Sequence, residues 1–156
     1  LQNVNLSKSI KANSINSKFD KLKWITPHYY SNNPEKEVDL LKDAIDIISN
    51  ENLSKIAIIT HYQFFSVLSE KKINILNRWY FPDNNTHPSS RDNKYYEAYT
   101  KKINNFINKK KIEKIYLVKS HPNEFKFINF ADLLVGSCFK DQKKNEILQL
   151  IIINKC

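Results

Sequence analysis

Apolar positions along this chain change period several times, and each change marks an element. LKWIT, from Leu22, is short, apolar and strand-like. NNPEKEVDLLKDAIDIISNEN then switches to a helical period. It opens with turn residues, places Pro34 near a first helical position and acids in the first turn, and lines up Val38, Leu41, Ala44, Ile45 and Ile48 on one face. Ile56 to Thr60 is a continuous apolar run and predicts a buried strand. Tyr62 to Leu68 predicts a helix carrying Phe64, Phe65 and Leu68, and residues 78–91 a long polar loop with two prolines.

Lys94 to Lys109 is amphipathic through Tyr95, Tyr99, Ile103, Phe106 and Ile107, and predicts a helix. Ile112 to Val118 gives a third strand, and Phe125 to Leu134 a helix or irregular aromatic segment. CFKDQKKNEILQLIIINKC closes the chain as a hairpin turning about Lys143-Lys144, with a fully apolar last strand. Residues 1–20, rich in Asn, Ser and Lys, read as a linker or irregular segment, which leaves 21–156 as a single α/β domain. The alternation of strands and helices predicts a mostly parallel sheet with helices on both faces and an antiparallel C-terminal edge hairpin.

Composition narrows the chemistry. The 156 residues contain one glycine, Gly136. A phosphate-cradling loop or a dinucleotide fingerprint needs several, so neither exists here, and tight left-handed backbone positions are expected to fall to asparagine. No apolar run reaches the roughly 18–20 residues that cross a bilayer. The chain has no methionine and starts at Leu1, which leads us to expect a domain cut from a longer protein.

A net charge of +9 raises nucleic acid as a partner, but only Arg78 and Arg91 among the 25 basic residues are arginine. Base readout and bidentate phosphate contacts favour arginine, so scattered lysines place a nucleic-acid module behind other readings. Cys138 and Cys156 form no metal motif. With the expected turn, the residue opposite Cys138 falls near Leu148 to Leu150, and a disulfide to Cys156 requires a bend.

Three apolar runs end in a histidine: LKWITPHYY at His28, KIAIITHYQFF at His61 and IEKIYLVKSHP at His121. In an open parallel sheet, ligands bind beyond the carboxyl ends of the strands. The expected ligand cleft therefore gathers His28, His61, Tyr62, Gln63, Arg78, Asp83, His87 and His121, with Arg78 holding an anionic group. A metal site lacks short His spacing. Acid–base catalysis by His61 lacks any nucleophile motif around Ser66, Ser120 or Ser137. The plainer reading is that a strand leaving a core needs an amphipathic residue at its exit, and this outweighs catalysis. No catalytic residue, metal ligand or cofactor is assigned.

LKWITPHYYSNNPEKEVDLL, ITHYQFFSVL, NRWYFPDNNTHP and the closing CFKDQKKNEILQL…NKC together resemble the soluble C-terminal domain of polytopic bacterial membrane proteins that are glycosyltransferase-like and come from marine bacteria with AT-rich genomes. The resemblance runs from about Leu22 to Cys156. It implies a non-catalytic accessory domain, extracytoplasmic (periplasmic) and anchored through membrane segments outside this sequence. Its partners would be the membrane-embedded part of the same polypeptide and a lipid-linked sugar or its acceptor. A free-standing hydrolase or transferase with a His/Asp/Arg site, and a basic nucleic-acid-binding module, stand as alternatives.

Overall fold

The computed structural model describes residues 9–26, 28–52, 54–62, 64–68, 73–76, 88, 90–120, 122, 130–134 and 138–154. The first described residues form a small unit of their own. Strands β1 (Ile10–Lys11) and β2 (Lys23–Trp24) pair antiparallel, Ile10 opposite Trp24. Between them lie 3-10 turns at Ala12–Ser14 and Ser17–Phe19, the second capped by the Asn16 side chain, which accepts from the Lys18 amide. Ala12 and Ile15 are buried, and Phe19 meets Phe64 edge-on.

Helix α1 (Pro34–Ser49) starts where its sequence says it should. The Asn33 side chain accepts from the Lys36 amide, proline takes the first helical position, and Glu35 and Glu37 sit in the first turn. Its buried stripe includes Val38, Leu41, Ala44, Ile45 and Ile48. Strand β3 (Ile56–Thr60) is buried throughout. Helix α2 (Phe65–Leu68) and strand β4 (Asn74–Ile75) follow. Helix α3 (Tyr96–Lys110) buries Thr100, Ile103 and Ile107.

Helix α3 ends on Lys111, which takes the left-handed conformation with φ 51° and ψ 47°. The Ile112 amide reaches back to the Ile107 carbonyl and the Lys111 amide to that of Asn108. This is a Schellman ending with lysine at the position glycine usually fills, at a cost of roughly 1 kcal/mol. Lys109 and Lys110 in the last turn complement the helix dipole.

Strands β5 (Lys114–Val118), β6 (Cys138–Lys143) and β7 (Leu148–Asn154) complete a five-stranded sheet of order β4-β3-β5-β7-β6. Strand β3 pairs parallel with β4 and β5, over two and five residue pairs. Strand β7 pairs antiparallel with β5 and β6, over five and six. Ile58, Tyr116, Leu148 and Leu150 pack on one side with α1, while Ala57, Ile59, Ile115, Leu117 and Ile151 pack on the other with Ile103 and Ile107 of α3. The alternation explains why β3 reads as an unbroken apolar run, since each of its faces meets a core.

The expected mostly parallel sheet with helices on both faces and an antiparallel edge hairpin is thus corrected. The sheet is mixed, with more of its paired length antiparallel than parallel. LKWIT contributes no strand to it, because β2 belongs to the separate two-stranded sheet. Helices are few: α1 and α3 are the only ones longer than a turn or so among the described residues. The physical reason lies at the C-terminus. Strand β7 is apolar on both faces and takes an interior place beside β5, so the hairpin forms nearly half of the sheet instead of trimming its edge.

The hairpin register also moves. Lys143 faces Gln149 and Cys138 faces Asn154. Asn145 sets this turn: its Oδ1 accepts from the amides of Ile147 (2.9 Å) and Leu148 (2.7 Å), and its Nδ2 donates to Asp43 of α1 (2.7 Å). Anchoring on α1 carries the turn past the expected Lys143-Lys144 position. Cys138 is disulfide-bonded. The chain's other cysteine, Cys156, lies outside the described residues. No helix among the described residues is long and apolar enough to cross a membrane.

Candidate functional site

Polar side chains buried in an apolar core must be paired, so they show where the fold has committed chemistry. Glu37 is fully buried although it stands in the first turn of α1. Two donors from other elements fill its carboxylate. Trp24 Nε1 donates to Oε2 at 2.9 Å, and the Tyr62 hydroxyl donates to Oε1 at 2.6 Å. Burial pushes the Glu37 carboxyl above its ordinary value, and the Trp24 and Tyr62 hydrogen bonds oppose that shift. The Thr26 hydroxyl faces the same carboxylate and also lowers it, but from outside hydrogen-bond geometry, so Thr26 Oγ1 is buried without a partner among the described residues. Tyr30 Oη is likewise buried and unpartnered among the described residues. Its phenol is pushed up to about 12, chiefly by burial and then by the negative charge of Glu146.

Aromatic rings wall this carboxylate. Trp24 lies 5.9 Å from Tyr62 and 5.6 Å from Phe64, Tyr62 lies 5.6 Å from Phe64, and Phe64 stacks on Phe65 at 5.1 Å. Each such pair contributes about 0.5–1.5 kcal/mol beyond burial. Together they join the β1–β2 unit, α1 and the exit of β3. The Tyr62 amide donates to Thr60 Oγ1 at 2.9 Å, which turns the chain inward as β3 ends.

A second polar cluster lies at the other end of the sheet, where β5 begins. Lys114 Nζ bonds both oxygens of Glu51 at 2.7 Å, and the Tyr116 hydroxyl donates to Oε1 at 2.6 Å. Partial burial would raise the Glu51 carboxyl, but the Lys114 and Tyr116 donors outweigh it and hold the group below its ordinary value. Burial and the adjacent Glu51 push the Tyr116 phenol up. In both clusters the carboxylate oxygens are occupied by donors from elsewhere in the fold. Among the described residues, neither presents a nucleophile beside an open base.

An open groove of about 460 Å³ runs along α3, lined by Tyr96, Glu97, Thr100, Lys101, Asn104 and Asn105. Because α3 connects β4 to β5, both parallel to β3, it runs back against the strands, and its first turn lies toward their carboxyl ends. Asn104 Nδ2 bonds the Thr100 carbonyl (2.8 Å) and the Leu133 carbonyl (2.7 Å), which fixes one wall. Thr100 Oγ1 is buried and has no hydrogen-bond partner among the described residues.

Of the residues expected to form a cleft, His61 is exposed immediately after β3 and Tyr62 is buried beside it, ring centroids 6.3 Å apart. They point to different surroundings, since Tyr62 is committed to Glu37. His28 begins a 3-10 turn after β2, which is not a strand of the main sheet. Gln63, Arg78, Asp83, His87 and His121 lie outside the described residues. Among the described residues, no group of three or more His, Cys, Asp or Glu side chains is placed to hold a metal ion.

Sequence reasoning missed Glu37, yet a signal existed. Glu37, Leu41, Ala44, Ile45 and Ile48 share one helical face, so a charged residue stood in register with the buried stripe. Comparison with protein-family models, with curated proteins and with solved structures found no match to this chain.

Proposed function

We propose that this chain is a non-catalytic accessory domain of a membrane-embedded glycosyltransferase that uses a lipid-linked sugar, and that it binds acceptor or carrier near the carboxyl edge of its sheet. The observation that carries the non-catalytic part is the closure of both carboxylate clusters. Glu37 and Glu51 accept from Trp24, Tyr62, Lys114 and Tyr116, and act as struts between elements. The membrane-enzyme setting rests on the resemblance of the quoted segments. The disulfide at Cys138 supports an oxidising, extracytoplasmic compartment, where such bonds persist.

The test is to mix the isolated domain with a short-chain polyprenyl-phosphate glucose and follow both binding and sugar release. Saturable shifts in the amide resonances around His61 and the first turn of α3, with no sugar released, are the expected result. Sugar release by the domain alone would replace this reading with the free-standing transferase or hydrolase. Absence of any binding would remove it.

A further inference from the structure

Lysines that are spread along the sequence gather on one element of the fold. Between residues 94 and 111, Lys94, Lys101, Lys102, Lys109, Lys110 and Lys111 are all exposed, and Glu97 is the single carboxylate. At about 3.6 residues per turn, Lys101, Lys102 and Lys109 fall on the side of α3 turned away from buried Ile103 and Ile107. Ala98 and Asn105 stand between them, so this outer stripe carries no acid. The Lys94 ammonium lies over the Tyr95 ring at 4.9 Å. None of the other five lysines makes an ion pair among the described residues.

Residues 90–120 are described without a gap, so every position of the stripe is placed. Outside the described residues the sequence holds more Lys and Arg than Asp and Glu, so those segments together add to the positive sign. Helix α1 makes the contrast. It packs on the opposite face of the sheet and exposes Glu35, Asp39, Asp43 and Asp46 against Lys36 and Lys42. Solubility is served by interspersed signs. Helix α3 instead presents a field of one sign, which attracts an extended anionic partner.

The residue types select among such partners. The stripe has no arginine, and Arg91 just before it reaches Asp132 at 3.6 Å. Bidentate phosphate and base contacts favour arginine. Tyr95, 59% exposed at one end, already lies beneath Lys94, so the stripe offers no row of rings for bases to stack on. The apolar side of α3 is committed to the core through Ile103 and Ile107, so the helix does not insert among acyl chains. What remains is charge spread along a helix roughly 22 Å long. A surface of anionic headgroups meets such charge at many points, and lysines clustered on an amphipathic helix suit it.

We propose that the outer face of α3 rests on a bilayer surface carrying anionic headgroups, with Lys94, Lys101, Lys102 and Lys109 as its contacts. The inference goes beyond the accessory-domain reading, since it names a further partner and stands on α3 alone.

The test is sedimentation of the protein, disulfide intact, with vesicles of equimolar phosphatidylcholine and phosphatidylglycerol and with vesicles of phosphatidylcholine alone. Binding to the first, none to the second, and release by added salt are expected. Combining Lys101→Gln, Lys102→Gln and Lys109→Gln should weaken binding roughly a hundredfold, at about fivefold per lysine. Combining Lys23→Gln, Lys42→Gln and Lys140→Gln removes the same charge from exposed positions away from α3, and should leave binding within a few-fold. Amine-acylation footprinting of the wild-type protein gives a second reading that needs no variant to fold. Anionic vesicles should protect Lys101, Lys102 and Lys109 and leave Lys42 and Lys140 reactive.

Absence of binding to the anionic vesicles, equal binding to the neutral ones, equal weakening by the two triple variants, or protection spread evenly over all lysines would each overturn the proposal. Tighter binding to a mixed-sequence DNA duplex would replace it with a nucleic-acid surface. Its failure is separable from that of the accessory-domain reading. Carrier binding around His61 with no affinity for anionic vesicles sinks the α3 surface alone, and vesicle binding with no carrier binding sinks that reading alone.

Discussion

Removing one atom from the Glu37 cluster should cost stability in a way that depends on pH. Tyr62→Phe keeps the ring that packs against Trp24 and Phe64 and deletes the hydroxyl that donates to Glu37 Oε1 at 2.6 Å. Tyr62 is 5% exposed and Glu37 is fully buried, so bulk water cannot take the donor's place. A hydrogen bond to a charged group contributes about 1.5–3 kcal/mol and a neutral one about 0.5–1.5 kcal/mol. The loss should therefore lie near the upper range where Glu37 is ionised and near the lower where it is protonated.

The sign of the pH dependence follows from the raised carboxyl. Glu37 sits above its ordinary value of 4.5, so the folded state holds the proton more tightly than the unfolded one. Its contribution is present below the unfolded value and is lost as pH rises through the folded value. Tyr62→Phe removes one of the bonds that oppose the shift. The folded value climbs further, the window extends upward, and more stability is lost across it. Urea unfolding without reductant at about pH 4 and about pH 8 should show the larger penalty at the higher pH. A penalty below about 0.5 kcal/mol at both pH values, or a larger one at the lower pH, would refute the strut assigned to Tyr62.

The second cluster should behave in the opposite sense. Glu51 lies below its ordinary value, so its contribution is present above the unfolded value and is lost as pH falls through the folded one. Glu51→Gln should flatten the acid limb of the stability curve and cost about 1 kcal/mol near neutral pH, read by urea unfolding. Cys138→Ser should lower stability by about 2–4 kcal/mol, and reductant should bring the wild-type protein to the same thermal midpoint while leaving the variant unmoved. Asn145→Ala removes an acceptor for two amides and a bond to Asp43, and should cost about 1–2 kcal/mol in the same measurement.

Much of the local structure was legible in the chain because it depends on neighbours in sequence. Asn33 and Pro34 start α1, the 3.6-residue stripe from Val38 to Ile48 sets its buried face, and the apolar run at Ile56–Thr60 is β3 without a shift in either boundary. The left-handed position that ends α3 was not legible: with one glycine in the chain asparagine was expected there, and Lys111 takes it. Pairing partners were not legible. An apolar run carries the same pattern whether its neighbour is parallel or antiparallel, so nothing in LQLIIIN says that it lies between β5 and β6. LKWIT resembles a core strand and instead pairs with Ile10–Lys11, because aromatic packing of Trp24 on Tyr62 and Phe64 satisfies it outside the main sheet.

The candidate sites divide the same way. His61 could be placed at the end of β3 from sequence, since a strand's exit is a local event. Glu37 and Thr100 gained their character only when distant elements closed over them: β2 and the exit of β3 over the first, and the packed flank of α3 around the second. The start of α1, its buried stripe and the Ile56–Thr60 strand follow from the residues alone, because backbone preference and side-chain period act over a few residues. Strand order, hairpin register and the loss of water around particular polar groups came only with the packed fold, because burial is a property of what a residue meets in space.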